Sequence, residues 1–327
     1  MRLFKRNKTT VNIVIDDYVI RLVQNNGRDF ESVKLIAERA LPPNIIVNGR
    51  IQDELEFYDL MKELVQDWGI KNNEVRFFVP NSLVIIRTVD IPKEVKKEEW
   101  KQYINVEVGN TIHFPFKNPV IDIYTSEEKD DAYKVTVIAA PEEELIKYVS
   151  TFEDVSLKPT VVDVQALGVY RFYLHQIEQI DENKVFLFVE FNLDSMIISI
   201  FHGKKFEFHR YQQLNIEKNK WEATEKDLIL EWNYMGNQEI LNGEIYDQLN
   251  EIERLLNFYQ FSLHQGTQAV TDIVLLGDFP NLKDIATRIQ ERYPQNFTKL
   301  TTENTGIEVP LSNAFIPALG LAIKGGS

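Results

Sequence analysis

Residues 12–39 read NIVIDDYVIRLVQNNGRDFESVKLIAER, and residues 185–212 read VFLFVEFNLDSMIISIFHGKKFEFHRYQ. Each stretch predicts three adjacent strands with two turns between them, because runs of β-branched and aromatic residues are separated by clusters of Asp, Asn, Gly or Lys. The two stretches share this order of elements but not residue identity. An order that occurs twice indicates a duplicated half-domain, and therefore an α/β molecule with two lobes.

The residues between these stretches predict the remainder of the first lobe and an insertion in it. A helix is expected at 54–68 and a buried strand at 74–79, from apolar spacing and apolar run length respectively. From residue 83 the pattern becomes β-α-β-β-α-β, with elements at 83–91, 96–108, 119–125, 132–140, 142–152 and 160–164. We interpret this order as a compact inserted subdomain of ferredoxin-like arrangement, which the strand at 160–164 closes.

The second lobe is predicted to continue beyond its three strands with mostly helical segments. Before the lobe, a helix is expected at 166–179 and a charged hinge at 181–184. After its three strands, the sequence predicts a polar irregular stretch at 215–238, a helix at 244–264, a strand at 272–276, and helices at 282–293 and 312–324. In the last helix, Ala318, Gly320 and Ala322 carry little side-chain bulk. They predict close packing of this helix against the rest of the chain.

The charge balance excludes one large class of partner. The chain has 327 residues, with 36 Lys and Arg against 50 Asp and Glu, and a formal net charge of −14. A negative protein repels phosphate backbones and gains little from the counterion release that drives nucleic-acid binding. We therefore expect no nucleic-acid partner.

Cysteine content and hydropathy indicate a cytosolic protein. No cysteine is present, which excludes disulfides and thiolate metal sites and fits a reducing compartment. The first apolar run, 11–15, is far shorter than the ~20 residues of a membrane span, so we expect no direct membrane insertion. The basic cluster Arg2, Lys5, Arg6 and Lys8 is interpreted as a solvated terminus, with weak attraction to an anionic membrane as the alternative.

Motifs that would identify a catalytic or metal site are missing from the sequence. The five histidines, at positions 113, 175, 202, 209 and 264, lack metal-ligand spacing. There is no phosphate-binding Gly-x-x-x-x-Gly-Lys-Ser/Thr loop, no Gly-x-Ser-x-Gly elbow and no His-Glu-x-x-His helix. We therefore expect no metal site and no catalytic residue.

Six segments, taken together and in order, resemble the PilM family of type IV pilus assembly proteins. Each segment alone is weakly specific, but the set spans nearly the whole chain. The segments are LPPNIIVNGRIQD at 41–53, FFVPNS at 77–82 with VIIR at 84–87, HFPF at 113–116, LKPTVVDVQAL at 157–167, VLLGDFPNL at 274–282 and AFIPALGLA at 314–322.

The resemblance implies an actin-like two-lobed fold in which an inserted subdomain, 1C, replaces the usual subdomain 1B, as in FtsA. It divides the chain into subdomain 1A at 1–82 and again at 158–182, subdomain 1C at 83–157, a second lobe at 183–311 comprising 2A with a 2B insertion, and a C-terminal helix at 312–327 that packs back on 1A.

The resemblance also raises the question of a nucleotide site, because actin-like proteins hold ATP and Mg²⁺ between glycine-rich hairpin turns of the two lobes. Glycine serves there because backbone amides must approach the phosphates closely. The matching positions here are Asp17 in the first turn, Asn192 and Ser195 in the second, and Gly277 in the adenosine turn. Carboxylates and missing glycines at these turns predict that ATP and Mg²⁺ do not bind well and that hydrolysis is absent.

Three functions are compatible with this fold, and the resemblance favours the first. It is a non-catalytic cytoplasmic scaffold that binds the N-terminal peptide of PilN, a bitopic membrane protein, between subdomains 1A and 1C. A nucleotide-dependent switch is the second, and an actin-like small-molecule kinase the third. Other pilus-platform proteins and a second copy of the chain are further candidate partners. The residues expected to form the peptide groove are Val84, Ile86, Arg87, Phe114 and Phe116.

Overall fold

The structure of the chain is a computed structural model that describes residues 9–226, 228–307 and 311–325. The basic cluster Arg2, Lys5, Arg6 and Lys8 lies outside the described residues. Within them, no helix combines the length and the apolar character needed to cross a membrane.

The described residues of the first half of the chain form ten strands and four α-helices. They are β1 (Thr10–Asp16), β2 (Val19–Asn25), β3 (Val33–Ala40), β4 (Ile46–Val47), β5 (Arg50–Ile51), α1 (Glu54–Asp67), β6 (Glu74–Val79), β7 (Ile85–Pro92), α2 (Trp100–Glu107), β8 (Pro119–Glu128), β9 (Ala132–Pro141), α3 (Glu142–Asp154), β10 (Lys158–Val164) and α4 (Gln165–Gln176).

In the part of the second half that the structure describes, seven strands and three α-helices follow. They are β11 (Val185–Phe191), β12 (Ser195–His202), β13 (Lys205–Gln213), β14 (Trp221–Lys226), β15 (Ile229–Tyr234), α5 (Gln238–Asn257), β16 (Asp272–Leu276), α6 (Leu282–Arg292), β17 (Asn296–Lys299) and α7 (Ile316–Ala322). A π-helical turn at Phe258–Leu263 continues α5.

The two large sheets have the same topology, which confirms the predicted duplication. The first sheet has the order β3-β2-β1-β6-β10 and the second β13-β12-β11-β16-β17. In both sheets, the three strands that come first along the chain pair antiparallel. The fourth strand pairs in parallel with the first, and the fifth pairs in parallel with the fourth. The duplicated strand-turn-strand-turn-strand pattern therefore corresponds to two copies of one half-domain.

The limits of α1 follow from local chemistry. The Asp53 carboxylate accepts a hydrogen bond from the backbone N–H of Glu56 at 2.9 Å, which caps the helix start. Gly69 follows the last helical turn with φ of +62°, a conformation that favours glycine and ends the helix as predicted. Phe57, Met61 and Leu64 then lie on one buried face against the first sheet.

The inserted subdomain is smaller than the sequence pattern predicted. Its sheet has three strands, in the order β7-β9-β8, and its own core lies between that sheet and α2. The last strand of the pattern, β10, pairs in parallel with β6 and belongs to the first lobe. Helix α3 also packs on the first lobe, where Tyr148 and Phe152 enter the core beside α1. The expectation that the strand at 160–164 closes a ferredoxin-like unit is therefore wrong, and the separate sheet ends at Pro141 rather than near residue 157.

The C-terminal helix lies at the centre of the molecule. Helix α7 is fully buried and packs against α4 and β1, as predicted for a helix that returns to the first lobe. A Cβ on Gly320 would lie 2.0 Å from the carbonyl oxygen of Gly168, so only glycine permits this helix crossing. Phe172 of α4, Phe188 of β11 and Phe315 share the surrounding core, which joins the two lobes.

A hairpin from the second lobe reaches across to the first. The stretch at 215–238, which was expected to be irregular, contains the antiparallel pair β14–β15. The backbone N–H of Glu38 on β3 donates to the carbonyl of Leu228 at 2.9 Å, and the Glu38 carboxylate accepts from the N–H of Leu230 at 2.6 Å. The hairpin therefore covers one side of the cleft between the lobes.

Candidate functional site

The first candidate site is the cleft between the lobes, where the turn after β1 faces the turn after β11. Asp17 in the first turn is 7% exposed, and its carboxylate accepts from the backbone N–H groups of Asn48 at 2.6 Å and Gly49 at 2.8 Å. Lys218 Nζ lies 2.8 Å from Asp17 and 3.4 Å from Asp194 in the second turn. A single ammonium of the chain itself therefore links the two turns.

A buried arginine makes a second link between the lobes. Arg21 on β2 lies 2.9 Å from Glu38 and 3.4 Å from Asp16, and its Nη2 donates to Asp278, which follows β16 in the other lobe. Tyr18 Oη donates to the same Asp278 carboxylate at 2.5 Å. Because the Arg21, Glu38 and Asp278 side chains are at most 4% exposed, this cluster is shielded from solvent.

Burial raises the pKa of three acidic residues in the cleft. It raises the pKa of Asp16 well above its ordinary value, with the Arg21 guanidinium acting in the opposite direction. Burial likewise raises the pKa of Glu190 to about 7 and that of Asp194 to about 6. In each case removal from water disfavours the ionised form. The Asp16, Glu190 and Asp194 carboxyl groups therefore gain protons at a higher pH than ordinary carboxyl groups do.

The other residues expected to contact a nucleotide also lie at the cleft but bond to the chain itself. The Asn192 side chain accepts from the N–H of Asp278 at 3.4 Å and donates to Glu190 at 3.3 Å, and the Ser195 carbonyl accepts from the Asn192 N–H at 2.8 Å. Gly277 has φ of +124°, and a Cβ there would lie 2.1 Å from the carbonyl oxygen of Phe191. Glycine at this position allows the end of β16 to approach the end of β11.

Little space lies between the two turns. The cavity that contacts Asp17, Asp194 and Ser195 has a volume of about 20 Å³. A second cavity, of about 240 Å³, also contacts both turns, through Tyr18 and Asp194, and extends under the hairpin to Trp221. Sites for small ligands measure about 300–1,000 Å³. Among residues 9–226, 228–307 and 311–325, no group of three or more His, Asp or Glu side chains is arranged to hold a metal ion.

The second candidate site is a groove of about 690 Å³ between the first lobe and the inserted subdomain. One wall is strand β8 with part of β9, and the other is β10 with α4. Val120 and Val162 stand on the two walls with 45% and 40% of their surface exposed. Four cationic side chains, Lys101, Arg171, Lys204 and Lys324, line the groove together with two acidic ones, Asp122 and Asp163.

The carboxylate of Asp163 organises the floor of this groove. Asp163 is 6% exposed, and Arg171 Nη2 and Lys324 Nζ both lie 2.9 Å from its Oδ2. Arg171 also donates to the Gly320 carbonyl at 2.6 Å, which ties the groove to the buried helix α7. Two cations share one carboxylate, so the floor carries a net positive charge.

None of the five residues predicted for a peptide groove lines this cavity. Val84 is buried in the central core, and Ile86 packs against the same core. Phe114 packs into the core under α2, on the opposite face of the inserted sheet, and Phe116 stacks on it at 5.8 Å between ring centroids. Arg87 is exposed and donates to the neighbouring Ile86 carbonyl. Val84 and Ile86 thus belong to the central core and Phe114 to the core of the inserted subdomain, so the structure does not bring these residues together.

The groove residues that the sequence analysis missed carried a partial signal. Val162 and Asp163 lie within the LKPTVVDVQAL segment at 157–167, which already contributed to the family resemblance. The exposure of Val162 and the burial of Asp163 became visible only in the structure. The residues of β8 gave no comparable signal, because their alternation is that of any half-buried strand.

Comparison with known proteins supports this architecture. A family model described as Type IV pilus assembly protein PilM matches residues 13–322. No curated protein matches the chain. A solved structure of a PilM-PilN type IV pilus biogenesis complex is 18% identical, with a TM-score of 0.74 over 97% of this chain and 99% of that chain. The ethanolamine utilization protein EutJ from Carboxydothermus hydrogenoformans is 10% identical, with a TM-score of 0.50 over 97% of this chain and 90% of that chain. The predicted actin-like two-lobed fold is confirmed.

Proposed function

Because the chain belongs to the family of type IV pilus assembly proteins called PilM, we propose that it is a non-catalytic cytoplasmic scaffold of a type IV pilus or competence-pseudopilus platform. Its ligand is the N-terminal cytoplasmic peptide of a PilN-like bitopic membrane protein, and this partner holds it at the inner face of the membrane. The observation that carries the proposal is the open, largely apolar groove between the first lobe and the inserted subdomain.

The groove has the properties that a peptide ligand needs. Its volume of about 690 Å³ falls within the about 300–1,000 Å³ typical of ligand sites. Exposed Val120 and Val162 offer apolar surface that a ligand would remove from water. A structure with the same fold has been solved as a PilM-PilN complex. A short peptide that must order on binding is expected to bind with a roughly micromolar dissociation constant.

The contacts in the interlobe cleft support a non-catalytic role. A triphosphate between the two turns would displace Lys218 from Asp17 and Asp194 and would face the buried carboxylates of the cleft. Two like unit charges 4 Å apart repel by about 4 kcal/mol at an effective dielectric constant of about 20. The ATP-dependent switch and the small-molecule kinase both need this space, so they are the weaker alternatives.

A binding measurement with matched variants tests the proposal. The probe is a fluorescently labelled peptide with the N-terminal sequence of the PilN-like protein encoded by the same organism, and the readout is fluorescence anisotropy. Val162→Asp places a carboxylate on the apolar wall and should weaken binding about tenfold or more. Leu55→Asp is the control, because Leu55 is 71% exposed on α1 and does not line the groove.

Two further variants distinguish this groove from the one expected from sequence. Arg87→Ala and Phe116→Ala should leave the affinity unchanged, since neither residue lines the cavity. Loss of binding in these two variants, with normal binding by Val162→Asp, would move the peptide site to the other face of the inserted sheet. Absence of any binding by the wild-type protein would reject the proposed function.

A further inference from the structure

The peptide groove runs along the edges of two sheets. Strand β8 is the outer strand of the inserted sheet, and five consecutive residues of it, 120–124, line the groove. Strand β10 is the outer strand of the first sheet, and three consecutive residues, 162–164, line the facing wall. Successive side chains of a strand point to opposite faces of its sheet. Because β8 and β10 are both outer strands, a cavity that contacts consecutive residues of each lies beside their free edges.

Both of these edges have backbone groups available for pairing. Within the described residues, β8 pairs with β9 and β10 pairs with β6, each on one side. The outer side of an edge strand presents N–H and C=O groups in the spacing that another extended segment can match. Five residues of β8 offer about 16 Å of such edge.

The charges around the groove favour an acidic group in the ligand. Lys101 is paired with Asp122 at 2.7 Å, whereas Arg171 and Lys324 share Asp163. Lys204 pairs with the exposed Glu182 at 3.4 Å. The four cations and two carboxylates that line the groove leave it positive in a chain whose net charge is −14. This local positive charge attracts a carboxylate of the ligand.

We propose that the partner peptide binds as an added strand on the outer edge of β8, with apolar side chains at alternate positions directed toward β10 and an acidic side chain near Lys204 and Lys324. This inference rests on the proposed function and specifies its binding mode. Main-chain hydrogen bonds to β8 supply affinity, and the apolar and cationic positions of the groove select the sequence.

Methylation of single backbone nitrogens in the peptide tests this mode. In an added strand every second N–H points toward β8, while the intervening ones point away. The probe peptide is therefore synthesised as a series, each member N-methylated at one successive position, and its affinity is measured by anisotropy. We expect a two-residue alternation, in which methylation at every second position weakens binding about tenfold and the intervening positions change it less than about threefold.

The outcomes separate the binding mode from the proposed function. Binding of the unmodified peptide without a two-residue alternation would overturn strand addition and leave the proposed function standing. No binding of the unmodified peptide would overturn both. Lys204→Gln should weaken binding about threefold at low salt and less at high salt, whereas Lys226→Gln on the distant hairpin should not. Equal affinities for both lysine variants would remove the acidic group from the proposal.

Discussion

Replacement of Arg21 by methionine tests whether the ion pairs in the cleft hold the lobes together. Methionine keeps an unbranched apolar stem but removes the guanidinium. Three carboxylates, Asp16, Glu38 and Asp278, would then remain close together without their shared cation. The Arg21, Glu38 and Asp278 side chains are 4%, 2% and 4% exposed, so water can hydrate the freed charges only if the structure opens.

The expected loss of stability follows from this burial. Removal of one partner from a buried ion pair lowers the free energy of unfolding by about 3–5 kcal/mol. The loss should be largest near pH 8 and smaller near pH 5, because a carboxylate that has lost its cation can bind a proton instead. Adding Asp278→Asn to the same chain removes one uncompensated charge and should recover part of the loss.

The assay is urea unfolding followed by circular dichroism, with Arg39→Met as the matched control. Arg39 pairs with Glu63 at 3.5 Å and Asp67 at 2.8 Å, but its side chain is 30% exposed. Such a surface pair contributes about 0–1 kcal/mol. If Arg21→Met and Arg39→Met destabilise the protein equally, the Arg21 cluster is hydrated in solution and the clamp between the lobes does not exist.

Three further predictions concern the cleft and the central helix crossing. Burial raises the pKa of Glu190 from 4.5 to about 7, so Glu190 binds its proton more tightly in the folded state. Its contribution to stability is therefore full below about pH 4.5 and is lost as the pH rises through about 7. Glu190→Gln should therefore raise the free energy of unfolding near pH 8 and have little effect near pH 4.5, and an equal effect at both pH values would contradict the raised pKa. Mg-ATP should produce no saturable rise in melting temperature, although a site filled at about 100 times Kd would add about 2.7 kcal/mol. Gly320→Ala should lower the free energy of unfolding by about 1–3 kcal/mol because the added methyl group meets the Gly168 carbonyl. Gly243→Ala is the control and should be neutral or stabilising, because open space surrounds Gly243. Similar effects of the two variants in urea unfolding would mean that α4 and α7 separate easily.

Local sequence patterns were sufficient for most of the secondary structure. Strands β6 and β16 have the bounds that were predicted, because an apolar run between polar turns is a local property. The hairpin β14–β15 was missed because one side of it is polar and exposed, so its alternation looks like that of a loop. Strand β17 was missed for a similar reason, since its four residues, NFTK, include one large apolar side chain.

The inserted subdomain shows where local patterns fail. The order β-α-β-β-α-β is present in the chain, but the order alone does not say which sheet the last strand joins. Strand β10 joins β6 because pairing there extends a sheet that already has four strands. The residues predicted for a peptide groove do not line the groove that we propose, because its walls are set by which strand edges stay unpaired.

The sequence by itself determined the duplicated half-domains, the limits of α1 and the loss of glycine from the turns that face the cleft, because each depends on residues that are neighbours along the chain. The tertiary structure alone decided what fills the cleft and where the groove lies. Arg21 and Asp278 are 257 residues apart, and Asp17 and Lys218 are 201 apart. No periodicity within a segment specifies such a pair, because it forms only when two separately folded lobes bring their turns together.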